Sequence, residues 1–116
     1  MEDLRKRALS GAWFASRLGI EPRRLDVMRR AGELVGVRVP GTTEYLYPAW
    51  QLGADGKPHP ALARVLAEAR AAGIGEERLD ALMNARLGIG GRRRLSDELR
   101  AGREEYVISS IRAARS

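Results

Sequence analysis

The chain has 116 residues, a formal net charge of +6 and no cysteine. A hydrophobic share of 44% is enough for a packed core and argues against global disorder. The missing cysteines exclude disulfides, cysteine-type zinc sites and thiol nucleophiles.

From the N-terminus, Leu4, Ala8 and Leu9 recur at near-helical spacing around Arg5, Lys6 and Arg7, which reads as a short helix or a basic arm. The opening MEDLRKRALSGAW has no apolar signal-peptide core. No later stretch approaches the ~20 apolar residues that span a bilayer. The expected location is therefore the cytoplasm, with no membrane partner.

Ser10 is a good N-cap, because its hydroxyl can accept from an orphan helix N–H. The helix it opens runs through Trp13, Phe14, Ala15 and Leu18, and Gly19 stops it. Pro22 suits the first position of a second helix, which carries Leu25 and Met28 inward and ends at Gly32. Two short helices separated by a few residues including glycine form the pattern of a helix-turn-helix.

The period then changes to two. Val35, Val37 and Val39 alternate with Gly36 and Arg38, Pro40 to Thr43 supplies turn chemistry, and Tyr45 and Tyr47 alternate beyond it. This predicts a β-hairpin. Gln51 to Pro60 reads as a loop and as a subdomain boundary.

Past the loop only helical patterns remain. Leu62, Val65, Leu66 and Ala69 share a face up to Gly73, and Leu79, Leu82 and Met83 line the next helix, which Glu76 and Glu77 open. Gly88 to Arg94 reads as a basic interhelical turn. Ser96 to Leu99 starts a short helix that Gly102 ends, and a last helix runs from about Arg103 to Arg115. Trp13, Phe14 and Trp50 are expected in the core.

Positive charge suggests a polyanionic partner, although nearly all of it is arginine, as a GC-rich genome would also produce. The two halves, 1–53 and 54–116, carry +3 each, so local placement discriminates. Arg23, Arg24, Arg29 and Arg30 all fall on one ten-residue helix. With Leu25 and Met28 inward, Arg23, Arg24, Val27 and Arg30 project outward, as a recognition helix requires. The arginine fork can bond guanine O6 and N7 together. Arg38, Thr42 and Thr43 fall on the hairpin, where contact with phosphate or the minor groove is expected.

Catalysis has little support. His59 is the only histidine and lies between two prolines, and a general base needs a positioned second group. GIGG is not followed by the GxxxxGK of a phosphate-binding loop. No enzyme, metal or cofactor is expected.

The segment SGAWFASRLGIEPRRLDVMRRAGELVGVRV resembles the winged helices of the MerR and excisionase type. The continuation is similar to the Xre/MbcA/ParS antitoxin family, in the order Tyr47, Pro48, Gln51, Leu52, then Leu87 with Gly90 and Gly91, then Leu99 and Gly102. The loop GRRRLSD departs from it where that family often has proline. The resemblance implies a type II antitoxin whose N-terminal part binds operator DNA and whose C-terminal part binds a cognate toxin, often of the RES type. Arg92, Arg93 and Arg94 in the loop would meet an acidic partner or DNA. Tyr106, Ile108 and Ile111, with Arg112 and Arg115, have the composition of an interface hot spot.

The expected fold is mostly α with a small β-hairpin: a winged helix-turn-helix over 1–53 and a helical toxin-binding or dimerisation part over 54–116. The expected function is an autorepressing antitoxin that neutralises its toxin by binding. Its partners are double-stranded operator DNA, the toxin and a second copy, since two-fold operators match two-fold proteins. The alternative is a stand-alone MerR- or excisionase-like DNA-binding regulator, or a phage architectural protein.

Overall fold

The computed structural model describes residues 8–88 and 90–115. Among them are six α-helices: α1 (Gly11–Leu18), α2 (Pro22–Arg30), α3 (Leu62–Ala71), α4 (Glu76–Met83), α5 (Leu95–Arg100) and α6 (Glu104–Ala113). Five short strands join them: β1 (Ala8–Ser10), β2 (Val37–Arg38), β3 (Tyr45–Pro48), β4 (Arg86–Leu87) and β5 (Arg93–Arg94). The fold is mostly helical with small antiparallel sheets. No helix among the described residues is long and apolar enough to cross a membrane.

The helix ends follow local chemistry. The Trp13 N–H donates to Ser10 Oγ at 3.3 Å, which caps α1. At its other end Gly19 has φ 70°. Its N–H donates to Ser16 O while Ile20 N–H donates to Ala15 O. This paired closure needs a left-handed residue, and glycine adopts that conformation without a Cβ penalty. The same pair of bonds closes α2 at Gly32, α3 at Gly73 and α5 at Gly102.

The sheets depart from the expected single hairpin in two ways. The larger has the order β1-β3-β2, with Leu9 opposite Tyr47 and Val37 opposite Leu46. Residues 8–10 therefore extend the hairpin as a third strand instead of forming a helix or arm, while Arg5, Lys6 and Arg7 lie outside the described residues. A three-residue strand shows too little period to be read from sequence. As the central strand, β3 buries Leu46 and Tyr47 on opposite faces, so the expected alternation disappears there. In the second departure, the basic turn after α4 is a small hairpin in which Arg86 pairs with Arg94 and Leu87 with Arg93.

A single hydrophobic cluster runs through both halves, from Phe14 and Leu25 to Leu99, Val107, Ile108 and Ile111. Phe14 stacks on Tyr47 with ring centroids 5.0 Å apart. Two side chains after β3 tie the sheet to its surroundings. The fully buried Gln51 amide accepts from Val35 N–H at 2.9 Å and donates to Val35 O at 2.8 Å and Pro48 O at 3.0 Å. It pairs both backbone groups of Val35, which lies outside the strands. Trp50 Nε1–H donates to the buried Asp80 of α4 at 2.9 Å. The boundary at 53/54 falls in a turn, where Gly53 N–H donates to Lys57 O, and the core continues beneath it.

Candidate nucleic-acid interface

Helix α2 holds four arginines against one aspartate. It starts at Pro22, whose missing N–H costs nothing at that position. Arg29 and Arg30 occupy its last turn, where the helix dipole favours cations. Leu25 is 1% exposed and anchors one side, with Met28 half-buried next to it. At ~100° per residue, Arg23, Arg24, Val27 and Arg30 fall within an arc of about 120° centred opposite Leu25. All four are exposed, and together with Glu21 and Asp26 they line one shallow groove.

The four arginines are not equivalent. Arg29 folds back until its guanidinium lies 3.8 Å from the centroid of the Tyr45 ring, and its side chain is 14% exposed. This close approach depends on Gly36: a Cβ there would come within 2.7 Å of Arg29 Cδ and 3.2 Å of the Tyr47 ring. Burial pushes the Tyr47 hydroxyl above the usual phenol value, and Arg29 pulls against it. Arg23 Nε–H donates to Glu21 Oε2 at 3.1 Å, and Arg30 Nε–H donates to Asp26 O at 3.2 Å. The Arg24 backbone N–H donates to Glu21 O at 2.9 Å, but its side chain makes no hydrogen bond or ion pair among the described residues, so its fork is free to bond a ligand bidentately.

The hairpin residues stand apart from this arc. Arg38 is exposed, but it lines a separate groove with Tyr45 and the α4 residues Glu76, Glu77 and Arg78. Thr42 Oγ donates to Val39 O at 2.8 Å and accepts from Glu44 N–H at 3.1 Å, so this hydroxyl builds the turn. Thr43 is exposed at the tip.

The residues expected to bind a partner are also divided. Ile108 and Ile111 are 0% exposed, which corrects their assignment to a surface: packing of α6 against α3 and α5 uses that face. Arg112 donates to both carboxylate oxygens of Glu68, at 3.1 and 2.7 Å. Arg93 pairs at 3.0 Å with Glu98, a nearly buried carboxylate that Arg103 also holds. Arg94 is half-buried, and its N–H donates to Asp97 at 2.8 Å at the start of α5. Arg92, Tyr106 and Arg115 remain exposed, Tyr106 by 50%.

One aromatic residue was expected on the wrong side. Trp13 is 62% exposed rather than core, and it lines a shallow surface with Leu9, Arg17 and Leu46 beside β1. Phe14, its neighbour, takes the buried position. On an eight-residue helix the two lie only ~100° apart, too little for periodicity to choose between them.

No protein-family model and no curated protein sequence matches the chain. Among solved structures it is similar to the NMR structure of Rv2175c, with a TM-score of 0.78 and 19% identity over 94% of this chain and 81% of that one. The likeness is one of fold.

Proposed function

We propose that this protein is a sequence-specific double-stranded DNA-binding regulator that lays α2 in the major groove. In this reading α1, the turn at Gly19 to Glu21 and α2 form a helix-turn-helix, and the β2–β3 hairpin is its wing. The observation that carries it is the arc of Arg23, Arg24, Val27 and Arg30 opposite a buried Leu25. A solvated helix of incidental arginines would not need an exposed valine at the centre of the charged face. Arg24, with its fork unengaged, is the base reader; Arg23 and Arg30, each held at Nε, bind phosphate. Arg38 and Thr43 add phosphate contacts from the wing. One small module provides little affinity, so a homodimer on a two-fold site is part of the proposal.

Fluorescence anisotropy on DNA from upstream of the gene, at several salt concentrations, tests it. R24A should lose about 1–3 kcal/mol on the preferred site and relax its preference. R38A should weaken binding to all sequences and flatten the salt dependence by about one unit of slope. Unchanged affinity in both variants removes the α2 assignment.

The antitoxin function is a second reading, supported by Tyr106, which α6 leaves half-exposed with Arg115 also exposed near its end. An exposed aromatic with a nearby arginine suits a protein interface. It requires a toxic neighbouring gene product, of the RES type or another, and does not alter the DNA-binding assignment.

A further inference from the structure

Val27 has no role in the fold that would explain its place. It is 48% exposed, on a helix whose core contacts are made by Leu25 and Met28. A β-branched residue is also a poorer choice for an exposed helix position than alanine, lysine or glutamate. Its neighbours on the surface are Arg23 four residues before it, Arg24 three before and Arg30 three after. The result is a small apolar spot with three arginines around it, in a groove that Glu21 and Asp26 also line. In the major groove the only apolar group on the base edges is the C5-methyl of thymine, and the arginines match the phosphates on either side.

Spacing adds a constraint. Residues three apart on a helix are separated by ~4.5 Å along its axis. Successive base pairs rise ~3.4 Å. On a helix inclined to the DNA axis, as a recognition helix in the major groove is, the projected step shortens toward ~3.4 Å, and an arginine and an apolar residue at i and i+3 can face neighbouring base pairs.

Resting on the DNA-binding reading, we propose that Arg24 and Val27 act as a specificity pair. They read a guanine next to a thymine, Arg24 through O6 and N7 and Val27 through the thymine C5-methyl. The recognition chemistry is that of a 5-methylpyrimidine, so Val27 distinguishes thymine from uracil at one position and is indifferent to it elsewhere.

The probe is a pool of duplexes with a randomised centre, enriched on the full-length protein and then resynthesised with uracil replacing one thymine at a time. Wild-type protein should bind about fourfold more weakly when uracil replaces the thymine beside the key guanine, the value of one buried methyl. V27A should bind both versions equally and with the affinity of the weaker one, while its thermal unfolding stays at or above that of wild type. R24A should lose the guanine preference but keep some sensitivity to the methyl. Failure to enrich any sequence overturns the DNA-binding reading itself. Enrichment with no thymine-to-uracil effect, or with the effect intact in V27A, overturns the role of Val27 and leaves DNA binding standing.

Discussion

Helices α2 and α6 both combine apolar and charged residues, five of nine being charged on α2 and three of ten on α6, and the fold uses them in opposite ways. On α2 only Leu25 is fully withdrawn, and the outer arc keeps Val27 and three arginines in solvent. On α6, Val107, Ile108 and Ile111 are all 0% exposed, and the charges are paired across to α3: Arg64 with Glu104 and Glu105, and Glu68 with Arg112. Apolar residues on a short helix therefore do not by themselves mark an interface. The useful sign is polar groups left without a partner at the surface, which α2 has at Arg24 and α6 has largely given up.

The contrast is broken most directly by Ile108→Ala. If α6 is core, this substitution costs about 2–5 kcal/mol in denaturant unfolding. A cost below ~1 kcal/mol would mean that α6 is a surface helix after all. Truncation after Gly102 cannot separate the alternatives, because it strips three buried residues from a core that both halves share.

Tyr106→Ser sharpens the comparison on the same helix. Because Tyr106 is half-exposed, its loss should change stability by no more than ~0.5 kcal/mol. In the antitoxin reading it should nonetheless reduce neutralisation in a co-expression survival assay. Rescue equal to wild type would remove the outward-facing aromatic of the α6 hot spot, and a harmless neighbouring gene product would remove the antitoxin reading altogether.

The smallest effect is expected from Arg112→Ala. Exposed ion pairs contribute little to stability, and salt screens them. The Arg112 guanidinium holds the Glu68 carboxyl below its usual value, and Arg64 does the same for Glu105. Since these are depressed carboxylates, their contribution is present above the ordinary carboxylate pKa and is lost as pH falls through the lowered folded values. Acid titration of thermal stability should therefore show a slightly shallower decline for R112A than for wild type. Identical acid limbs would mean that the Glu68 pair adds nothing.

Most of what was legible in the sequence is local. The Ser10 cap, Pro22 at a helix start and the glycine closures at Gly19, Gly32, Gly73 and Gly102 each depend on atoms within about five residues of one another. Their stereochemistry is written into the residue types. Helical periodicity likewise placed Leu62, Val65, Leu66 and Ala69 in the core, and it put Arg23, Arg24, Val27 and Arg30 on one outward arc.

Tertiary structure decided what depended on distant partners. Strand β1 exists because β3 offers it an edge, and Leu46 is buried because β3 is central. Trp13 is exposed because Phe14 has the stack on Tyr47. Gln51 is a structural clamp because both backbone groups of Val35, sixteen residues earlier and outside the strands, come within its reach. Arg29 is withdrawn from the charged arc because Gly36 leaves room for it over Tyr45. The physical reason is the same in each case. A side chain's preference for water or for the core is set by its own chemistry, but which buried surface or polar partner is within reach is set only when remote segments pack.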